Sequence, residues 1–206
     1  MNLSHLFDFD VNYCQKHGNL AGLDEAGRGA LAGPVFVGCV SIDLARMDGT
    51  EMKQVNEIKD SKQLTGKVRK KLFDYLTHSN KISIGIGQSS SEEIDKVGIN
   101  RATGLAAERA LDSLGRAVDL VLLDKGIKIQ RAGEYREITK GDDKSLHIAS
   151  ASILAKVGRD RYMRFQAENY SGYGWETNVG YGTSAHREAI ARIGRSDIHR
   201  KSYKLT

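Results

Sequence analysis

A chain of 206 residues, 40% hydrophobic and 28% charged, is long enough to bury the core of one sizeable domain without staples. Its formal charge of +5 permits a polyanionic partner without requiring one. Its two cysteines, Cys14 and Cys39, lack metal-type spacing and point to a reducing compartment. No apolar stretch approaches the roughly 18–20 residues of a membrane span. The first 19 residues also lack the basic-then-apolar order of a secretory signal. The expectation is a cytoplasmic, monomeric, single domain over residues 1–206, with residues 1–18 a flexible N-terminal segment.

In chain order, Leu20–Leu23 reads as a short strand. Val35–Ile42 (VFVGCVSI) is an almost unbroken apolar, β-branched run and predicts a strand covered on both faces. Thr65–Ser79 carries Val68, Leu72, Phe73 and Leu76 at helical spacing behind a capping Thr65. Ile82, Ile84 and Ile86 alternate with Ser83, Gly85 and Gly87, the pattern of a half-buried strand with the isoleucines inward. A short helix opens at Ser91, and an Ala-rich one spans Asn100–Leu114. Val118–Leu123 is another buried strand and ends on Asp124. Ser145 to about Glu168 is the longest predicted helix, and His186–Ile193 the last. Strands followed by alternating helices and strands predict an α/β domain with a mixed β-sheet flanked by helices.

Carboxylates fall where such folds place chemistry. Asp24 and Glu25 stand where a short strand meets the glycine-rich turn Gly27-Arg28-Gly29, and Asp124 closes a buried strand. Adjacent strand residues point to opposite faces, so Asp24 and Glu25 share a site only if the strand ends there. Two further acids compete for a fourth place. Asp142 lies in a polar loop ahead of the longest helix. Asp160 lies on that helix, flanked by Arg159 and Arg161, and there an ion pair is the better reading. The residues alone leave this choice open. Clustered oxygen donors suit a hard divalent cation, whereas the six histidines are scattered and H-E-x-x-H is absent. Gly27-x-Gly29-x-x-x-Gly33 imitates a dinucleotide fingerprint, but Pro34 and a strand follow it where a helix is required. That counts against a nucleotide-dependent oxidoreductase. A non-catalytic nucleic-acid-binding module is the other rival, and clustered acids would repel a phosphate backbone unless cations intervene.

These blocks, taken together, resemble the type 2 ribonucleases H, the ribonuclease HII family. The resemblance runs through Gly22-Leu23-Asp24-Glu25-Ala26-Gly27-Arg28-Gly29, Leu31–Pro34, Lys59-Asp60-Ser61-Lys62, Leu123-Asp124 and Lys140-Gly141-Asp142. It continues through Ala149–Asp160, Gly180-Tyr181-Gly182-Thr183, His186 and His199–Tyr203. The blocks keep the family's order and cover roughly residues 20 to 203. The resemblance implies a ribonuclease H-like fold and hydrolysis of RNA–DNA hybrids, and of DNA duplexes containing ribonucleotides, with two magnesium or manganese ions. It places Asp24, Glu25, Asp124 and Asp142 on the metal-binding acids and leaves Asp160 structural. It assigns the 2′-hydroxyl at an RNA–DNA junction to Gly27, Arg28 and Gly29, and the neighbouring deoxynucleotide sugar to Tyr181. Lys62, Lys156, Arg159 and Arg200 are the expected phosphate contacts.

The chain departs from the family pattern at two positions. Ala30 replaces the usual proline after the turn, and Val179 replaces a common lysine, so a looser turn and weaker binding are expected. The end at Thr206, without the C-terminal helical extension of some relatives, carries the same expectation of reduced grip.

Overall fold

The computed structural model describes residues 4–59, 61 and 63–205. Five strands, β1 (Leu20–Ala26), β2 (Val35–Ile42), β3 (Ile82–Ser89), β4 (Leu120–Asp124) and β5 (Tyr135–Ile138), form one sheet in the order β3-β2-β1-β4-β5. The β1–β2 and β2–β3 pairs are antiparallel, and β1–β4 and β4–β5 are parallel. The helices are α1 (His5–His17), α2 (Gly49–Val55), α3 (Gly66–His78), α4 (Ser91–Ser113), α5 (Leu146–Asn169), α6 (Trp175–Asn178) and α7 (Ser184–Ile193). This is the mixed, helix-flanked sheet expected from the sequence.

Strand parity divides the core. Leu20, Leu120 and Leu122 pack with Ile148 of α5, while Ala21, Leu23, Val121 and Leu123 pack with Ala102, Ala106 and Ala110 of α4. Every residue of β2 is buried, as a strand covered on both faces must be. The parallel strands β1, β4 and β5 all finish at one edge of the sheet, and the polar residues that follow them meet there.

Caps place most of the predicted helices. Thr65, Ser145 and Thr183 each accept a main-chain N–H in the first turn of the helix they precede. The two helices expected around Ser91 and Asn100 form one run that kinks at Gly98, whose φ of 78° breaks the helical backbone. The alternation expected in β3 holds at its start, where Ile82 is buried and Ile84 packs against the core, and fails beyond it. Gly85 and Gly87 face α4 so closely that a Cβ on either would overlap the Ala110 or Ala106 carbonyl, and Ile86 is exposed. Absence of a side chain, which the pattern scores as an outward position, is what lets the helix backbone approach.

Helix α1 has no counterpart among the predicted elements. Ser4 caps it, and Leu6, Phe7 and Asp10 bury its inner face. Its one buried acid is paired: Asp10 Oδ2 accepts from the His147 main-chain N–H at 2.8 Å and lies 2.6 Å from His147 Nδ1 at the start of α5. Among the described residues no helix is long and apolar enough to cross a membrane.

Candidate active site

Leu23 pairs with Leu123 across the parallel β1–β4 ladder, so Asp24 and Asp124 come next in register on the face covered by α5. Asp24 is 5% exposed; its Oδ1 accepts the Glu25 main-chain N–H at 2.7 Å, and its carboxylate also takes a hydrogen bond from the Ser152 hydroxyl. Ser61 Oγ lies 2.8 Å from Ser152 Oγ, which joins the turn before α3 to the same carboxylate. Burial, then the charges of Glu25 and Asp124, push the Asp24 pKa up to about 8 against the pull of those hydrogen bonds. Ionising Asp24 at this sheet edge is therefore costly unless positive charge joins it.

Asp124 also shapes the loop after β5. Its Oδ1 accepts the Gly141 N–H at 2.8 Å, pinning the 3-10 turn Gly141–Asp143 that carries buried Asp142. Lys140, at φ 54°, turns the chain left-handed into that loop.

The expectation that β1 stops at Asp24–Glu25 is not met. The strand continues to Ala26, with Glu25 opposite Val37 of β2, and only the β4 side of the ladder is open beyond Leu23. Glu25 consequently shares the α4 face with Leu23, and its Oε1 lies 3.8 Å from Arg28 Nε. Its charge still reaches Asp24 as the second cause of the raised pKa.

Among the described residues, no group of three or more His, Cys, Asp or Glu side chains forms a ready-made metal cage. The donors nonetheless fit a hard cation. They are all carboxylate oxygens, they strain one another electrostatically, and magnesium ordinarily binds through one or two carboxylates together with water and substrate phosphate.

Beside the acids, Gly27 at φ 95° opens the Gly27-Arg28-Gly29 turn, and a Cβ there would overlap the Arg159 guanidinium. Nothing lies within 4 Å of the Cβ position on Gly29, so the turn's outer side is open. Arg28 reaches along the surface, donating to Asn100 Oδ1 at 2.6 Å and to the Gly126 carbonyl at 3.2 Å.

Arg159 and Arg200 are not the exposed phosphate contacts expected of them. They are 0% and 1% exposed. Arg159 donates to the carbonyls of Ala32, Pro34 and Val179, and Arg200 to those of Gly27 and Arg28 at 2.7 Å and of Gly33 at 2.9 Å. Burial lowers both pKa values, that of Arg200 to about 10, which leaves Arg200 charged at neutral pH. The planar forks satisfy carbonyls that the irregular loops leave without strand partners.

Ala30 fits this frame. Its N–H donates to the Gly27 carbonyl at 3.3 Å, closing the turn with a hydrogen bond where proline would supply a ring, and it forms a β-bridge with Tyr181. Tyr181 is half-buried, its ring centroid 5.1 Å from Arg159 Cζ and 5.4 Å from Lys156 Nζ. Val179 is buried in the cluster with Leu31, Met163 and Trp175 and sits at φ 43°, a conformation β-branched residues rarely adopt. Lys62 lies outside the described residues.

Asp160 is an ion-pair residue, but its partners differ from those expected. Lys156 at 2.9 Å and Arg164 at 3.9 Å, each one helical turn away, take it in place of the adjacent Arg159 and Arg161. Asp142→Asn is therefore expected to reduce turnover with little change in melting temperature, and Asp160→Asn to lower the melting temperature with little change in turnover. Parallel activity and melting assays would show an exchange of roles if the two outcomes were reversed. Ser61 and Ser152 fall within blocks that carry the resemblance but are not singled out by the sequence as site residues: Ser152 is a small hydroxyl in an Ala-rich helix, with the pattern of ordinary packing, and Ser61 stands in the polar turn before α3.

Comparison with known proteins identifies both family and fold. The Ribonuclease HII family model matches residues 21–206. A ribonuclease HII of Parasynechococcus marenigrum is 42% identical over 188 residues, 91% of this chain and 82% of that protein. The crystal structure of ribonuclease H2 from Pyrococcus horikoshii superposes with a TM-score of 0.70 at 27% identity, covering 91% of this chain and 94% of that one. Bst-RNase HIII, solved in complex with Mn2+, shares the fold with a TM-score of 0.69 at 18% identity, covering 91% of this chain and 68% of that one.

Proposed function

The chain belongs to the ribonuclease HII family and is a ribonuclease H hydrolase, and from that premise we propose that it cuts the RNA strand of RNA–DNA hybrids and nicks DNA on the 5′ side of embedded ribonucleotides. The observation that carries this reading is a shared edge. Arg200 clamps the Gly27-Arg28-Gly29 turn, and the turn follows directly from the strand that bears Asp24 and Glu25.

Asp24, Asp124 and Asp142 would hold two divalent ions, magnesium or manganese, with Glu25 joining them across the end of β1, where the β4 side is open beyond Leu23. Bound there, such ions supply the positive charge that activates an attacking water and stabilises a leaving 3′-oxygen, giving 5′-phosphate and 3′-hydroxyl ends. The protein's own contribution is positional. The Ser61–Ser152 hydroxyl pair orients Asp24, and Asp124 holds the Asp142 turn through Gly141. The open side of the Gly29 turn lets main-chain groups approach a 2′-hydroxyl, the feature that separates RNA from DNA. The Tyr181 ring offers a face to the following deoxynucleotide sugar, where a 2′-hydroxyl would be crowded.

Three labelled duplexes test the proposal: DNA with one ribonucleotide, a uniform RNA–DNA hybrid, and DNA alone. Each is incubated with magnesium, with manganese and with chelator. Metal-dependent cuts 5′ of the lone ribonucleotide, with all-DNA intact, are expected. Cleavage of the uniform hybrid alone would retain the acid site and remove the junction reading. Hybrid binding without cleavage under any condition would make the protein a binding module.

A further inference from the structure

Behind Tyr181 lies a buried hydrogen-bond chain that takes no part in the proposed hydrolysis. Trp175, the only tryptophan in the sequence, is fully buried and stacked on Tyr173 with ring centroids 5.0 Å apart. Its Nε1–H can only donate, and it does so to His186 Nε2 at 3.0 Å. His186 Nε2 is therefore an acceptor, and the ring proton sits on Nδ1, which donates to the Tyr181 carbonyl at 2.9 Å. His199 Nε2 lies 3.1 Å from the same His186 Nε2, so it must be the donor of that pair. His199 Nδ1 then accepts, as the Ser196 main-chain N–H pointing at it from 2.9 Å requires. Ser196 Oγ adds a second contact at 2.8 Å. One assignment of protons satisfies every ring nitrogen. It has His186 as the Nδ1–H tautomer and His199 as the Nε2–H tautomer.

We propose that His186 and His199, as a neutral pair of opposite tautomers, are positioning residues that fix the main chain of Tyr181 and so set the discrimination at an RNA–DNA junction. The inference rests on the junction reading given under Proposed function. The geometry around Tyr181 explains why a fixed main chain matters. Strained Val179 precedes it by two residues, the Ala30 bridge joins it to the Gly27–Gly29 turn, and its carbonyl also accepts the Thr183 N–H at 2.8 Å. Freed from His186, this loop would have a strained conformation to escape and would carry the turn with it. Burial keeps both rings neutral: it lowers the pKa of His186, and burial followed by the His186 and Arg195 charges lowers that of His199 to about 4.

The test pairs His186→Asn with His186→Leu. Asn retains an N–H near the Nδ1 position, whereas Leu fills the site with no donor. Nicking at a lone ribonucleotide and cleavage of a uniform hybrid are measured for each, with kcat and KM separated. His186→Leu is expected to lower the nicking-to-hybrid ratio by about tenfold, the upper range for one lost hydrogen bond, with hybrid kcat within about twofold. His186→Asn is expected to restore most of the ratio. Should His186→Leu fail to fold, His199→Leu against His199→Gln, which keeps the donor to His186, makes the same comparison. Long-range 1H–15N spectra of the wild-type protein are expected to show the two opposite tautomers, and the Tyr181 carbonyl 13C resonance is expected to move in the Leu variant and not in the Asn variant. Equal ratios in all variants, or identical tautomers at the two histidines, would overturn the proposal. A wild-type protein that cleaves hybrid but never nicks at a lone ribonucleotide would instead overturn the junction reading, and the spectra would still report on the network.

Discussion

Replacing Asp24 by Asn is expected to lower turnover on every RNA-containing duplex by roughly a thousandfold or more, about 4 kcal/mol of transition-state stabilisation. The same substitution is expected to stabilise the metal-free protein at alkaline pH. The second effect is a consequence of linkage. The Asp24 pKa in the folded protein is about 8, well above that of an ordinary aspartate, because burial and the charges of Glu25 and Asp124 disfavour its ionised form. Between those two values the folded state binds a proton that the unfolded state has released, so stability falls as pH rises through that window. The slope is at most about 1.4 kcal/mol per pH unit, and the amide of the Asp24→Asn variant has no proton to lose. Melting temperatures of metal-free wild type and Asp24→Asn, taken from pH 5 to 9, should therefore diverge in favour of the variant at the alkaline end. Magnesium should raise the wild-type melting temperature and leave that of the variant nearly unchanged, because a cation that binds only the folded state stabilises it by mass action. Parallel pH curves with an equal magnesium response would falsify the placement of Asp24 at the charged centre.

The parts of this molecule that can be read from sequence are those where one physical demand dominates. Strand β2 is legible because burial on both faces leaves no room for polar residues. Asp24 and Asp124 stand out because an acid at the end of an apolar run breaks a pattern. Strand β5 is not legible, because it is an edge strand with only Ile138 buried. Helix α2 carries a readable signal in the Asp48–Glu51 capping box, yet it is a short helix with only Val55 buried. Asp142 and Asp160 show the limit on the site itself. Both are acids near one long helix, and what separates them is distance: a Gly141 N–H on Asp124 in one case, Lys156 and Arg164 in the other. Arg159 and Arg200 defeat a sequence reading for a related reason. Composition treats a basic residue as a surface charge, and nothing local in sequence announces that loop carbonyls of Gly27, Ala32 or Val179, far along the chain, will converge on it.

That convergence makes Arg200 a clamp on the recognition turn, and salt dependence distinguishes a clamp from a phosphate contact. If Arg200 were a phosphate contact, Arg200→Met would weaken hybrid binding and reduce the dependence of log affinity on log salt by about 0.9, one released counterion. If it is instead the clamp on the Gly27–Gly29 turn, the salt dependence should not change, because no charge is removed from the protein–substrate interface. The protein should lose stability. The Gly33 carbonyl would be left buried without its donor, at a cost of about 1–3 kcal/mol, while those of Gly27 and Arg28 would fall back on the Ala30 N–H and the Tyr203 hydroxyl alone. Arg200→Lys should recover little, since a single ammonium cannot span three carbonyls as a planar fork does. Nicking at a lone ribonucleotide should suffer more than cleavage of a uniform hybrid, because the released carbonyls belong to the turn that faces the junction. Binding titrations at several salt concentrations without divalent ions, run beside melting curves, separate the two roles. A reduced salt slope at unchanged melting temperature would return Arg200 to the phosphate surface. An unchanged slope with a lowered melting temperature would establish that a buried charge holds the recognition turn in place.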